Sequence, residues 1–176
     1  MSDTKRRERF EQTVLPHLDA AYNLARWLTR NDQDAQDVTQ EACLRAFRFF
    51  DGYQGGNMRA WLLTIVRNTC YTWLRQNRPP GSAVEFDEAI HSDQSTGAAD
   101  PELQVLASAD KETLRRALEE PPDVFREALA LREIEGMSYK EIANVASACM
   151  GTVMSQLARA RTRLRQSLSV ELSRGY

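Results

Sequence analysis

Residues 137–168 read MSYKEIANVASACMGTVMSQLARARTRLRQSL, and they carry in order a helix start, a tight turn and a longer helix. Ser138-Tyr139-Lys140-Glu141 has the form of a capping box: the Ser hydroxyl takes one orphan N–H, and the Glu carboxylate reaches back to another. Met137 and Ile142 stand where a hydrophobic staple would close that end. The pattern predicts a short helix over 139–146 and a turn from Ser147 to Gly151. Val153, Leu157, Ala160, Leu164 and Leu168 then share one face of a long helix. Short helix, tight turn, longer helix is the helix-turn-helix arrangement. Residues 151–176 hold five basic side chains and one acidic, a local net of +4.

Upstream, the same helical spacing recurs. Asp100 can cap a helix with Pro101 in its first position, and Leu103, Leu106, Leu114 and Leu118 supply its apolar side. Pro121-Pro122 interrupt, Asp123 can cap a helix over 124–133, and Gly136 stops it. Nearer the N-terminus, Val14, Leu15, Leu18, Ala21, Tyr22, Ala25 and Leu28 predict a helix over 10–29 with Asn31 as its stop. Ala35, Val38, Ala42, Ala46 and Phe50 predict a second over 34–50. Trp61, Leu62, Ile65, Val66, Thr69 and Trp73 predict a third over 58–76, ended by Pro79-Pro80. The stretch 79–100, PPGSAVEFDEAIHSDQSTGAAD, has no apolar period and reads as a flexible acidic linker. The expected fold is all-α: two small helical domains, 1–78 and 101–176, joined by that linker, the C-terminal one a helix-turn-helix.

Composition narrows the function. With 42% apolar and 27% charged residues, the 176-residue chain has ordinary globular content, which excludes wholesale disorder. Residues 1–78 carry a net +3, residues 79–120 a net −7 and residues 121–176 a net +2, which makes the overall −2. Nucleic-acid binding depends on local patches, so a near-neutral total permits it but argues against indiscriminate coating of DNA. No apolar run approaches the roughly 18 residues that span a bilayer. The start, MSDTKRRERFEQ, lacks the apolar core of a secretory signal, so a soluble cytoplasmic chain without membrane insertion is expected. Cys43, Cys70 and Cys149 form no disulfide framework and are expected as buried thiols. With His17 and His91 they offer no metal-ligand spacing. There is no phosphate-cradling Gly loop and no His near a plausible nucleophile, so neither an enzyme, a cofactor nor a metal is expected.

Three surfaces could carry function. Arg67, Tyr71, Arg75 and Arg78, spaced by four, four and three, share a face of the third helix, with Arg59 and Asn68 flanking. Cations interleaved with an aromatic suit a nucleic-acid strand, arginines meeting phosphates and the ring stacking on a base; the same pattern also describes a solvated face around a half-buried tyrosine. Asp34, Asp37, Glu41 and Leu44, beside Gln36 and Gln40, form an acidic strip with an exposed leucine on the second helix. It suits a basic protein partner, or is simply a solvated face whose acids favour the helix N-terminus. In the helix-turn-helix, Thr152, Ser155, Gln156 and Arg159 sit where such motifs address major-groove edges. Arg161, Arg163 and Arg165 are placed for phosphates or solvent. A free-standing helix-turn-helix regulator would account for residues 121–176 equally well, but gives no reason for the other two surfaces.

The order LDAAYNLARWLTRNDQDAQDVTQEACLRAFRFFDGYQGGNMRAWLLTIVRNTCYTWLRQNR, an acidic linker, then REALALREIEGMSYKEIANVASACMGTVMSQLARARTRLR resembles the extracytoplasmic-function (ECF) sigma factors of the sigma-70 family. That resemblance implies a promoter-specificity subunit of bacterial RNA polymerase, held in check by an anti-sigma factor. Residues 1–78 would be region two. Asp34, Asp37, Gln40, Glu41 and Leu44 would dock on the clamp helices of the largest polymerase subunit. The glycine-rich loop 51–57 and Arg59, Trp61, Arg67, Asn68, Tyr71 and Arg75 would capture a flipped base and the open strand of the −10 element. Residues 101–176 would be region four, seated on the polymerase flap. Its Lys140, Thr152, Ser155, Gln156, Arg159, Arg161 and Arg163 would meet −35 promoter DNA. The chain departs from the family pattern at Gln36, Thr39, Glu120, Gln156 and the turn Ser147-Ala148-Cys149. If position 147 needs φ > 0, Ser costs on the order of 1 kcal/mol against Gly.

Overall fold

The computed structural model describes residues 2–77, 116 and 123–174. Among these the secondary structure is helix without strand, and the chain divides into two units. The expected linker 79–100, the helix expected from Pro101 through Leu118 apart from Arg116, Pro121-Pro122, Arg78, His91 and Glu120 lie outside the described residues.

The first unit holds α1 (Asp3–Val14), a 3-10 turn Leu15–His17, α2 (Leu18–Thr29), α3 (Asp32–Phe49), a second 3-10 turn Phe50–Gly52, and α4 (Met58–Asn77). The single helix expected over 10–29 is therefore two. Pro16 has no N–H to donate and its ring crowds the carbonyl four residues back, so the chain tightens at Leu15–His17 before α2 restarts. Asn31 is not the stop of α2. That role falls to Arg30, left-handed at φ 62°, whose N–H bonds the Arg26 carbonyl. Asn31 instead caps α3, its side chain accepting the Asp34 N–H at 3.0 Å.

Helices α2, α3 and α4 pack on one another. Leu24, Ala25 and Leu28 of α2 and Leu62, Leu63, Val66 and Cys70 of α4 are buried. Burying each such Leu contributes roughly 1.5–3 kcal/mol. α3 meets its neighbours with Ala35, Val38, Ala42 and Ala46, side chains small enough to let the helix axes approach closely. Trp61, Ile65 and Trp73, expected inward, are only half-buried at the margins of α4. Helix α1 buries little of itself. It is held by Arg6, which donates to the Phe47 carbonyl at 2.7 Å and pairs with Asp51 at 3.0 Å, and by Phe10, edge-on to Phe47 and Phe50.

The second unit opens with α5 (Asp123–Leu129), which runs on into a π turn at Ala130–Ile134 rather than staying α-helical to residue 133. The Glu135 N–H reaches the Ala130 carbonyl five residues back, and Gly136 at φ 64° ends the helix. Then come α6 (Tyr139–Ala146) and α7 (Met150–Arg174). Phe125, Leu129, Leu131, Met137, Ile142, Val145, Val153, Leu157, Ala160, Leu164 and Leu168 are buried. All five apolar positions expected on the inner face of the long helix are among them.

Candidate nucleic-acid and partner-docking surfaces

The outer face of α3 carries Asp37, Gln40, Glu41 and Leu44 to solvent, with Asp34 half-buried at the first turn. Leu44 is 63% exposed. Two acids are engaged along the helix: Asp37 accepts from the Gln33 amide at 3.3 Å, and Glu41 pairs with Arg45 at 3.0 Å. Pairing with Arg45 offsets part of the charge at Glu41, so Asp37 is the less compensated of the two. Phe49, at the end of the same helix, is 60% exposed. Sequence reasoning missed it, because a lone phenylalanine beside the buried Phe50 gives no periodic signal.

On α4, Tyr71 is half-buried, and Asn68 and Arg75 are exposed. The Arg67 guanidinium lies 4.6 Å from the Tyr71 ring centroid and donates to the Asn68 amide oxygen at 3.3 Å. Arg67, Asn68, Tyr71 and Arg75 thus form one strip of cations and amide around an aromatic face. Arg59 lies in the first turn of α4, nine residues and about two and a half turns before Asn68, so those two residues face opposite sides of the helix. Trp61 lies at the helix's start, its ring 5.3 Å from that of Tyr53. Tyr53 belongs to the loop before α4, in which Gly55 and Gly56 both take positive φ. Arg78 of the expected stripe is outside the described residues.

The capping box closes as drawn from the sequence. The Glu141 N–H donates to Ser138 Oγ at 3.1 Å, and the Ser138 N–H to Glu141 Oε1 at 3.3 Å. Met137 and Ile142 are buried beside it. Ser147 takes φ 53°, the left-handed conformation that Gly would adopt without strain. α7 starts one residue after Cys149, whose carbonyl accepts the Val153 N–H at 3.1 Å and whose Sγ lies 3.0 Å from Thr152 Oγ1. The expectation of three buried thiols is corrected here. Cys70 is buried and Cys43 half-buried, but Cys149 is exposed because it sits at the mouth of a helix rather than on an apolar face. The Thr152 hydroxyl, followed by backbone N–H groups, holds the Cys149 thiol below its ordinary range. Burial pushes the Cys43 thiol up.

Along α7, Ser155 lies nearly opposite the buried face, and Arg159 follows one turn later; both are half-buried. Thr152 and Gln156 are half-buried too, Gln156 at the margin beside buried Leu157. Lys140 is exposed in the first turn of α6. Arg161 and Arg163 are among the arginines engaged within the unit. Arg161 donates to Glu133 at 2.9 and 3.3 Å, and Arg163 lies over the Phe125 ring at 5.1 Å. Met150 and Met154, near half-exposed at the start of α7, escaped the sequence reading because methionine at helical spacing looks like core.

The chain is similar to known proteins in sequence and fold. The Sigma-70 region 2 family matches residues 13–79, and Sigma-70, region 4 matches residues 111–164. The RNA polymerase sigma-H factor of Pseudomonas aeruginosa is 33% identical over 165 residues, spanning 90% of this chain and 86% of that protein. The ECF RNA polymerase sigma factor SigE of Mycolicibacterium smegmatis is 34% identical over 91% of this chain, which spans 62% of that protein's length. Among solved structures, the sigma factor RpoE in complex with the anti-sigma factor NepR from Bartonella quintana superposes with a TM-score of 0.70 at 29% identity, covering 93% of this chain and 98% of that one.

Proposed function

The chain belongs to the ECF sigma factors of the sigma-70 family, and on that premise we propose that its three surfaces divide the work of starting transcription. The exposed face of α3, with Asp34, Asp37, Gln40, Glu41 and Leu44, docks on the clamp helices of the polymerase's largest subunit. Acids and a leucine suit a basic, partly apolar partner. The strip Arg67, Asn68, Tyr71 and Arg75 holds the single strand of the melted −10 element. Arginines meet phosphates and Tyr71 offers a stacking face, worth roughly 1–3 kcal/mol per base. Arg59 and Trp61 line the approach from the glycine loop.

The helix-turn-helix meets intact −35 duplex through Thr152, Ser155, Gln156 and Arg159, with Lys140, Arg161 and Arg163 nearer the phosphates. Residues 1–78 and 101–176 serve as the two working domains, the second seated also on the polymerase flap, and 79–100 as their tether. An anti-sigma factor restrains the chain by covering its polymerase-binding faces. Support for an anti-sigma partner comes from the solved RpoE neighbour, which is bound to the anti-sigma factor NepR. No described helix is long and apolar enough to cross a membrane, in keeping with action beside polymerase in the cytoplasm.

The observation that carries the reading is the cation–aromatic strip on α4, on the same bundle as the acidic face of α3. The test is a pull-down of core RNA polymerase by the full chain, followed by run-off transcription. Polymerase capture and promoter-dependent transcripts are expected. Duplex binding without polymerase capture would point instead to a free-standing regulator.

A further inference from the structure

Tyr53 is an aromatic residue in an otherwise polar, glycine-rich loop, and the function described so far gives it no task. Its ring stacks on Phe50 at 6.4 Å and tilts against Trp61 at 5.3 Å. Its hydroxyl donates to the Gly56 carbonyl at 2.7 Å. Between them lies Gly55 at φ 91°, followed by Gly56 at φ 96°. A Cβ added at either glycine would meet nothing within 4 Å, so neighbouring side chains do not hold this backbone in place. Two successive glycines are also the most conformationally free backbone available. The loop is tethered instead at its ends. On one side is the Tyr53 hydroxyl. On the other is Asn57, whose Oδ1 accepts the Ala60 N–H at 3.1 Å and so caps α4.

The ring packing against Phe50 and Trp61 would be met equally well by phenylalanine. The hydroxyl adds one thing, a bond to a glycine carbonyl in the loop. Resting on the base-capture reading above, we propose that Tyr53 is a positioning residue: its bond to Gly56 fixes the Gly55–Gly56 loop in one shape and thereby sets which −10 base the loop accepts. A loop free to reshape itself accommodates several bases at similar cost, whereas a fixed one leaves wrong bases with unpaired polar edges. Tyr53 touches no nucleotide in this account and acts through the loop.

The test uses full-length chain assembled with core RNA polymerase, and the best template that wild-type holoenzyme selects from a promoter library randomised at −10 and −35. Opening is read by permanganate reactivity on that template, on its three single-base changes at each −10 position, and on pre-melted versions. Tyr53→Phe is expected to bind core polymerase and keep its −35 preference. Its preference among bases at the captured −10 position should fall about threefold to tenfold, the worth of one hydrogen bond. An unchanged −10 preference overturns the proposal and leaves base capture standing. So does weaker opening of every template alike with preference intact on the pre-melted ones. If wild-type holoenzyme shows no base preference at any −10 position, base capture itself fails and this role for Tyr53 fails with it.

Discussion

Arg161 of α7 donates to the carboxylate of Glu133, 28 residues upstream at the end of the π turn, at 2.9 Å. Both side chains are largely shielded from water, and Arg161 also bonds Tyr139. Removing either partner leaves the other's charge poorly matched. Glu133→Ala and Arg161→Ala are each expected to destabilise the second unit by about 1 kcal/mol, the double variant costing little more than either alone. Urea melts of the four chains measure this. Arg161→Ala should leave −35 base preference intact, whereas Arg159→Ala should cost roughly 1–3 kcal/mol of discrimination in competition binding.

Ser147 occupies a left-handed conformation at φ 53°. Gly relieves that strain, although it also enlarges the unfolded ensemble. Ser147→Gly is therefore expected to stabilise the helix-turn-helix by a few tenths to about 1 kcal/mol. A rise in thermal midpoint reports it, and a fall would show that the Ser side chain supports the turn.

Cys149 offers a pH test. Its thiol is lowered by the Thr152 hydroxyl and by backbone N–H groups, all of which favour the thiolate. A depressed pKa in the folded state means that the associated stability is present above the unfolded thiol pKa and is lost as pH falls through the folded one. Alkylation of Cys149 by iodoacetamide should accordingly show its midpoint below the ordinary thiol range, and Thr152→Val should move it upward. Cys43, pushed up by burial, should react later in the same titration.

Much of this molecule could be read from its sequence, because helical periodicity and end signals are local. Ser138 and Glu141 lie within one turn of each other, so a capping box is visible as a spacing. Val153 through Leu168 repeat with the helix, so their burial follows. The contacts that escaped are long-range or depend on backbone detail. The hold of Arg6 and Phe10 on Phe47 and Phe50 joins residues some forty apart. The π turn at Ala130–Ile134 has no residue signature, yet Glu133 lies within it and Arg161 pairs with Glu133. Cys149 reads as core until the helix start is known. The candidate surfaces were legible as spacings of charge, but which charges are already spent internally was not. Glu41 on Arg45 and Arg163 on Phe125 emerge only once the side chains are in place.

Promoter-directed transcription by this chain requires the outer face of α3 to grip polymerase, and charge reversal there probes that grip. The measurement is the affinity of Asp37→Lys with Glu41→Lys for core RNA polymerase, alongside circular dichroism to confirm an intact bundle. Both side chains point to solvent, so the bundle should still fold, the Glu41–Arg45 pair giving way to a like-charge pair at a cost of only about 0.5 kcal/mol. At least a tenfold loss of affinity is expected, about 1.4 kcal/mol or more. A folded double variant that binds polymerase as tightly as the parent chain would contradict it.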